Sequence, residues 1–317
     1  MAAIATTSKG VAVARRRRPR GAWRRRNLVV IAFLSPWIIG FLVFIVYPAA
    51  ATLYFSFTRY DLLTAPEWAG LDNYRFMLHD PQFWQGVRNT LWLVVFLVPL
   101  QVVFSITVAS VLTRPKRGVG VYRTIYFLPS MVPVVAAALG FRFLLNPVGP
   151  INTVLGFFHL PEPFWFEDPR FAKPGLLLLG LWGIGEMMII FLAALLDVPK
   201  QLYEAADLEG ATAWQRYRHV TLPTISPVIF FALVIGVIDG FQYFAQAYVA
   251  SGGRENLGAP QGSLRFYSIW LYEQGFTYLH LGYAAALAWV LFVIVMIVTF
   301  VLVKTQHRWV HYQGGFR

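Results

Sequence analysis

The sequence predicts an all-α membrane protein with six transmembrane helices. Of its 317 residues, 57% are hydrophobic and only 13% are charged, a balance far from that of a soluble globular chain. The charged residues are also unevenly spread, because several long stretches contain no Asp, Glu, Lys or Arg. A run of about 20 apolar residues is enough to cross the hydrocarbon core of a bilayer as a helix. Composition and charge spacing together therefore predict membrane-spanning helices.

These stretches give the spans in chain order. Four of them are free of charged residues: Asn27 to Thr58, Asn89 to Thr113, Thr124 to Phe141, and Gln274 to Val303. Two more carry one acidic residue each: Pro174 to Leu196, which contains Glu186, and His219 to Gly253, which contains Asp239. Each stretch is long enough to cross a bilayer, so the count is six.

The basic residues predict the side of the membrane on which each segment lies. Lys and Arg near the ends of spans are retained on the cytoplasmic side. With the N-terminus inside, nineteen of the 27 basic residues fall in cytoplasmic segments and seven in outer loops, while Arg142 lies at a span end. Acidic residues show the opposite distribution, with nine in the outer loops and four inside. We therefore expect both termini to be cytoplasmic.

The spans divide the chain into four parts. Residues 1–27 form a basic cytoplasmic tail, residues 28–84 the first transmembrane helix and its outer loop, residues 85–305 the transmembrane core, and residues 306–317 a cytoplasmic C-terminal tail. Eight arginines lie between Arg15 and Arg26, a density also seen in nucleic-acid-binding patches. Beside a membrane span, such a cluster sets topology and contacts anionic lipid. We therefore expect the lipid bilayer, and no nucleic acid, as its partner.

One polar segment interrupts the apolar sequence between the fourth and fifth spans. An acid and a proline, Asp197 and Pro199, are typical of a helix start, and Gly210 is typical of the residue just past a helix end. Thr212, followed three residues later by Gln215, has the capping-box pattern and predicts a second short helix. Two short amphipathic helices suit either docking into a groove of another protein or lying on the lipid surface. The pattern alone leaves both alternatives open.

The spacing of this segment resembles the EAA loop of permease subunits of binding-protein-dependent ABC importers. Glu204-Ala205-Ala206 is followed by three residues, Gly210, nine further residues and then Val220-Thr221-Leu222-Pro223. In that family the loop, here residues 199–223, is the cytoplasmic coupling helix that docks into a cleft of the ATP-binding subunit. The resemblance implies the fold of a type I ABC importer permease. It also implies ATPase-coupling roles for six residues: Glu204, Ala205, Ala206, Gly210, Leu222 and Pro223.

A second stretch, residues 56–92, is similar to the first outer loop of carbohydrate permeases of the maltose, lactose and glycerol-3-phosphate type. It contains Gly70-Leu71-Asp72-Asn73-Tyr74 and Asn89-Thr90. The resemblance covers nearly everything from the first span to the C-terminus. It implies import of a sugar or oligosaccharide across the bacterial plasma (inner) membrane.

The resemblance also implies which partners the chain has. No G-x-x-x-x-G-K-[ST] phosphate loop occurs in the sequence, so this chain is not expected to be an enzyme, and ATP hydrolysis is expected on a separate subunit. The expected partners are a second permease subunit, which forms a heterodimer with this chain, a dimer of ATP-binding cassette ATPases, and an extracytoplasmic solute-binding protein. No metal site and no cofactor is expected in this chain.

Polar residues within the spans are the candidates for substrate binding. Ionisable side chains cost about 2.5–3.5 kcal/mol at the centre of a transmembrane helix on insertion scales, and they usually face a cavity or a partner. Four residues at offsets of three, four and seven are expected to line one helical face of the fifth span: Asp239, Gln242, Tyr243 and Gln246. Carboxylates and amides can bind sugar hydroxyls, and an aromatic ring can cover the apolar side of a pyranose.

The resemblance to the maltose permease implies sugar ligands on this face, at Asp239 and Gln242. Glu186 and Gly183 fall in the matching region of the fourth span when a one-residue gap is allowed. The alternative for both acids is a pairing with a polar group of the second permease subunit. The alternative function is a polytopic membrane enzyme, such as a glycosyl or acyl transferase. Such an enzyme would need a cluster of catalytic acids or histidines at one membrane face, which Glu186 and Asp239 alone do not make.

Overall fold

The computed structural model describes residues 20–114 and 117–311, with side chains from Val30 onward. The side chains of the predicted basic tail, Lys116 and the last six residues of the predicted C-terminal tail therefore lie outside the described residues. The described residues divide into two compact units, one that ends at Thr52 and one that begins at Leu53.

Helices dominate both units. In chain order the α-helices are α1 (Arg20–Phe41), α2 (Tyr47–Ser56), α3 (Asp72–His79), α4 (Pro81–Leu112), α5 (Val119–Phe127), α6 (Val134–Leu144), α7 (Pro150–Phe157), α8 (Pro169–Trp182), α9 (Gly185–Leu196), α10 (Lys200–Leu208), α11 (Ala213–Arg216), α12 (Leu222–Phe241), α13 (Ala245–Ala250), α14 (Tyr267–Tyr272) and α15 (Leu281–Thr305). Single π-helical turns occur at Leu42–Val46, Tyr217–Thr221 and Glu273–Thr277, and 3-10 turns at Leu128–Met131, Arg254–Asn256 and Gln306–Arg308. One antiparallel strand pair, β1 (Thr58–Arg59) and β2 (Glu67–Trp68), places Thr58 opposite Trp68.

The first predicted span is a helical segment from Val30 to Ser56, continuous through the π-helical turn between α1 and α2. Its apolar side chains are exposed in the described chain, for example Phe33 at 83% and Phe44 at 79%. A helix that is apolar all round needs lipid or another protein around it. This confirms the prediction of a membrane span here.

Four helical segments of the described chain are long and apolar enough to cross a bilayer: Val30–Ser56, Pro81–Leu112, Ala213–Phe241 and Leu281–Arg308. Two helix pairs pass this test only when each pair is taken together. They are α5 and its 3-10 turn with α6, bent by 100°, and α8 with α9, bent by 50°. The predicted six spans are obtained when each bent pair counts as one span. The third and fourth spans are therefore not the single continuous helices that the sequence predicted.

Pro133 explains the first bend, and a close contact between two helices accompanies the second. Val132 precedes Pro133 and is extended, with ψ 129°, because the proline ring disfavours the helical conformation in the residue before it. Gly183 ends α8, and Gly185 begins α9 in close contact with α5. A Cβ atom at Gly185 would lie 2.5 Å from the carbonyl oxygen of Tyr126, so only glycine allows this approach.

The long helix α4 is the centre of the second unit. Near its start, Leu93 belongs to a buried cluster with Leu176 and Phe266. Further along, Ile106 belongs to another buried cluster with Phe191. Because α8, α9 and α12 all pack against α4, that helix fixes where they stand relative to one another.

Polar side chains hold the start of α4 and the loop before it. Asp80 caps α4 by accepting a hydrogen bond from the backbone N–H of Gln82 at 2.9 Å, and its other oxygen accepts from Trp270 Nε1 at 3.0 Å and from the hydroxyl of Tyr283 at 2.8 Å. Asn89 donates to two backbone carbonyls, those of Gly262 and Arg265, each at 2.8 Å.

The motif residues of the predicted first outer loop have the same kind of role. Asn73 donates to the carbonyls of Ser56 and Thr58, both at 2.9 Å, and the hydroxyl of Tyr74 donates to Ser56 Oγ at 2.8 Å. Thr90 Oγ1 accepts a hydrogen bond from a backbone N–H of α14 at 2.9 Å. The residues that carried the resemblance to carbohydrate permeases therefore hold the loops of the second unit in place.

Candidate functional site

The polar segment after the fourth span forms the predicted pair of short helices, α10 and α11. Gly210 follows α10 with a φ of +75°, and the backbone N–H groups of Gly210 and Ala211 donate to the carbonyls of Asp207 and Ala206, both at 3.0 Å. This is the Schellman arrangement that commonly ends a helix at glycine. The predicted capping box of α11 is confirmed, because the Thr212 and Gln215 side chains each bind the other residue's backbone N–H.

The start of α10 differs from the prediction. Asp197 is the residue just after α9, and its side chain makes no cap for α10. The new helix begins at Lys200 after Pro199, whose extended ψ of 127° separates the two helices. The proline rather than the acid therefore marks this boundary.

The segment predicted to couple to the ATPase, residues 199–223 and called the coupling segment below, presents two kinds of large side chain. Leu208 is 91% exposed and Trp214 is 67% exposed. Tyr203 and Tyr217 instead pack against the buried cluster around Phe191. Apolar side chains exposed on an otherwise polar segment are typical of a surface that another protein covers. An ion pair between Arg216 and Asp207 bridges the turn between the two helices.

The predicted coupling residues all lie on this segment. Glu204 and Ala205 are exposed on α10, and Ala206 is half-buried beside them. Leu222 and Pro223 form the first turn of α12 and are half-buried. The segment therefore continues directly into the fifth span.

The end of the described chain packs on this same turn of α12. Ser226 Oγ donates to the Pro223 carbonyl at 2.7 Å and accepts a hydrogen bond from the backbone N–H of His311 at 2.8 Å. The ring of Trp309 lies 6.0 Å from that of Phe230, measured between centroids, in an edge-to-face arrangement. Residues just after α15 thus contact the helix that follows the coupling segment.

A cavity of about 720 Å³ lies between α4, α9 and α12. All six predicted substrate residues line it: Gly183, Glu186, Asp239, Gln242, Tyr243 and Gln246. The side chains of Glu186, Asp239 and Gln242 are exposed in the described chain, while Tyr243 is only 8% exposed. The fourth and fifth spans therefore bring their polar residues together as the sequence predicted.

The geometry of the fifth span differs from the prediction of one helical face. The helix α12 ends at Phe241, Gln242 has a non-helical φ of −99° and ψ of 15°, and α13 begins only at Ala245. Asp239 therefore reaches the cavity from the end of α12, and Gln246 reaches it from α13. Gln242 and Tyr243 reach it from the break between these helices. The carbonyl of Tyr243, freed by this break, accepts a hydrogen bond from Ser268 Oγ at 2.5 Å.

Both helix interruptions near the cavity contribute to its wall. Gly183 and Ile184 lie at the bend between α8 and α9, and Gln242 and Tyr243 lie at the break after α12. Non-helical backbone at membrane depth is tolerated where it is buried in protein or lines a cavity, and interrupted helices often form the binding sites of transporters. The position of these breaks supports a ligand-binding role for the cavity.

The structure adds one polar residue that the sequence reasoning missed. Gln101 on α4 lines the cavity, and its Nε2 donates to the carbonyl of Gly180 at 2.9 Å. The sequence reasoning considered mainly ionisable residues within the spans, and Gln101 lies in an uncharged one. The sequence could have indicated Gln101, because an amide in the middle of an apolar span needs a hydrogen-bond partner there.

The cavity offers hydrogen-bonding groups without a metal cluster. The buried hydroxyl of Tyr243 has no hydrogen-bond partner among the described residues. Across residues 20–114 and 117–311, no group of three or more His, Cys, Asp or Glu side chains is placed to hold a metal ion. The cavity is therefore equipped to bind a ligand through hydroxyl, amide and carboxylate contacts.

Comparison with known proteins gives consistent matches along the chain. Residues 7–311 match the family described as binding-protein-dependent transport system inner membrane component. The probable ABC transporter permease protein YesP of Bacillus subtilis (strain 168) is 42% identical over 92% of this chain and 94% of its own length. The arabinooligosaccharides transport system permease protein AraP of the same organism is 30% identical over 86% of each chain.

A solved structure shares the fold. It is the crystal structure of a bacterial alginate ABC transporter in complex with an alginate pentasaccharide-bound periplasmic protein. The match has a TM-score of 0.78 at 23% identity and covers 92% of this chain and 98% of that chain.

Proposed function

The chain belongs to the family of binding-protein-dependent transport system inner membrane components. It is therefore the permease subunit of an ABC importer. We propose that the cargo crosses the membrane through the cavity between α4, α9 and α12. Its cargo is a sugar or an oligosaccharide. The chain is not itself an enzyme, because ATP hydrolysis takes place on a separate subunit of such importers. It works with a second permease subunit, an ATP-binding cassette ATPase dimer and an extracytoplasmic solute-binding protein.

The cavity is the observation that carries this proposal. It gathers Glu186, Asp239, Gln242 and Gln246 with Gln101 from another helix. Carboxylates accept hydrogen bonds from hydroxyls, and amides both donate and accept, so these groups match a polyhydroxylated ligand. The ring of Tyr243 and the backbone bend at Gly183 complete the proposed sugar-binding wall. The name of the 30% identical AraP, an arabinooligosaccharides transport permease, supports a saccharide cargo.

The coupling segment is proposed to dock into the ATPase subunit. Leu208 projects from α10 and Trp214 from α11 as exposed apolar anchors. Glu204 and Ala205 are also exposed on α10. Gly210 sets the turn between the helices, and Leu222 and Pro223 connect the docked segment to α12. Movement of the ATPase would thereby reach the cavity at the other end of α12.

The distribution of basic residues supports an orientation with both termini in the cytoplasm. In that orientation the coupling segment faces the ATPase. The strand pair and the loop around Asn73 face the side on which the solute-binding protein delivers its cargo. The Arg-rich tail is proposed to contact anionic lipid of the inner membrane.

Reconstitution tests the function as a whole. The chain is assembled with its second permease, ATPase and solute-binding protein in proteoliposomes, and uptake of labelled di- and oligosaccharides is measured. We expect uptake that requires ATP and each of these partners. Saccharide uptake without the ATPase subunit, or absence of uptake for every saccharide offered to an assembled and ATP-hydrolysing complex, would contradict the proposal.

A further inference from the structure

The charged side chains that this chain contributes to the cavity wall are all acidic. Eighteen residues line it, and they include two carboxylates, Glu186 and Asp239, but no Lys, Arg or His. The remaining polar groups are neutral: the amides of Gln101, Gln242 and Gln246 and the hydroxyl of Tyr243. Any charged ligand in this cavity therefore meets negative charge from this subunit.

Neither carboxylate is neutralised within the described chain. The ion pairs of the described residues join other partners, and neither Glu186 nor Asp239 takes part in one or in a side-chain hydrogen bond. Two basic residues of helices that pack near this cavity make other contacts. Arg123 donates to the carbonyl of Leu112 at 3.0 Å, and the ammonium of Lys173 lies 5.3 Å from the ring centre of Trp92.

The cavity wall also contains uncharged groups that suit a sugar ligand. Tyr243 is 8% exposed, lines the cavity, and carries a buried hydroxyl without a hydrogen-bond partner among the described residues. Buried polar groups are nearly always hydrogen-bonded in folded proteins, so this hydroxyl is available to bind a polar group of a ligand. Apolar side chains such as Ile190 and Phe231 line the same cavity and suit the C–H faces of a sugar ring.

We propose that this cavity selects uncharged saccharides and rejects anionic ones, such as uronates and sugar phosphates, through Glu186 and Asp239. The proposal rests on the proposed function and specifies its substrate class. Uncharged hydroxyls donate to the two carboxylates and to amide oxygens, and they accept hydrogen bonds from amide N–H groups. A carboxylate or phosphate on the ligand carries the same sign of charge as Glu186 and Asp239 and would be repelled by both acids.

Direct binding to the assembled complex tests this selectivity without the solute-binding protein, which has a preference of its own. Neutral di- and trisaccharides are each paired with the same sugar oxidised at C6 to a uronate. In the wild-type complex we expect each neutral member to bind at least tenfold more tightly, a difference of about 1.4 kcal/mol. A uronate that binds as tightly as its neutral partner would overturn the proposal, even where ATP-dependent sugar uptake is intact.

Matched variants connect the selectivity to the two acids. Glu186→Gln with Asp239→Asn keeps the shape of the wall and removes its charge, so the neutral-to-uronate ratio should fall severalfold, mainly through tighter uronate binding. The single substitutions should each give part of this change, and they remain informative if the double variant fails to assemble. Glu67→Gln removes a carboxylate on β2, outside this cavity, and should leave the ratio unchanged.

The outcomes separate this proposal from the proposed function. A ratio that stays the same in assembled Glu186→Gln and Asp239→Asn complexes would overturn the role of the acids while leaving sugar transport in place. If no neutral or oxidised saccharide binds or is transported, the saccharide cargo itself is wrong, and the selectivity proposal falls with it.

Discussion

The hydroxyl groups of Tyr203 and Thr221 lie 2.9 Å apart and form a hydrogen bond between α10 and the turn that leads into α12. Tyr203 belongs to α10, and Thr221, only 6% exposed, is the last residue before α12. The 20 residues of α12 span about 30 Å and carry Asp239 near their far end. A movement of α10 can therefore reach the proposed substrate cavity through one hydrogen bond and one helix.

The first prediction concerns this hydrogen bond. Tyr203→Phe removes the hydroxyl and keeps the ring, so the buried packing is retained while about 0.5–1.5 kcal/mol of interaction is lost. We expect basal ATP hydrolysis by the assembled complex to persist and its stimulation by loaded solute-binding protein to fall severalfold. Thr221→Val should have a similar effect.

Combining the two substitutions gives the decisive measurement. Because both remove the same hydrogen bond, the double variant should be little worse than either single variant. Tyr217→Phe is the matched control, since the Tyr217 hydroxyl makes no side-chain hydrogen bond within the described residues. Strictly additive effects of Tyr203→Phe and Thr221→Val would show that the pair does not act as a unit.

The second prediction concerns Gly210. Its φ of +75° is unfavourable for residues with a Cβ atom, by roughly 1–2 kcal/mol, yet a Cβ placed there meets no atom within 4 Å. Gly210→Val should therefore strain the turn without a steric clash, and transport should be lost while the chain remains in the membrane. Gly210→Asn is the matched control, because asparagine tolerates the left-handed conformation. Normal substrate-stimulated ATPase activity in Gly210→Val would refute the role of this turn.

Local sequence predicted the elements whose cause is local. The capping box at Thr212 and Gln215 and the helix end at Gly210 depend on residues within one or two turns, and both are confirmed. The presence of polar groups from two spans in one cavity could also be anticipated, because ionisable residues in a membrane need a polar environment.

Two features of the candidate site depend on contacts that are distant in sequence. The break after Phe241 is stabilised by Ser268, which binds the freed carbonyl of Tyr243 from another helix, so helical periodicity alone gave a continuous face. Gln101 lines the cavity because of how α4 packs against its neighbours, and no sequence motif indicates that packing. The sharp bend at Pro133 was also missed, because an apolar stretch shows the length of a span and not its path.

The third prediction concerns orientation. The sequence contains no cysteine, so single cysteines can be labelled without background. Leu63, 84% exposed in the loop between β1 and β2, is expected outside, and Arg218, exposed before α12, is expected inside. A membrane-impermeant thiol reagent should label Leu63→Cys but not Arg218→Cys in intact cells, and both after permeabilisation. The reverse pattern in intact cells would show that the orientation is wrong.

The last prediction separates the two roles considered for Asp239. As a sugar ligand, its carboxylate would be compensated by hydroxyls or water in the cavity; as a structural group, it would be compensated by a polar side chain of the second permease subunit. Asp239→Asn keeps the size and part of the hydrogen bonding, so transport should fall to an extent that depends on the saccharide. Asp239→Leu removes both acceptors and should reduce transport further. Assembly with the second permease and basal ATP hydrolysis should persist in both variants if the residue binds sugar. If Asp239→Leu instead prevents assembly, and Asp239→Asn assembles and transports every saccharide normally, the carboxylate holds the two permeases together and does not bind the cargo.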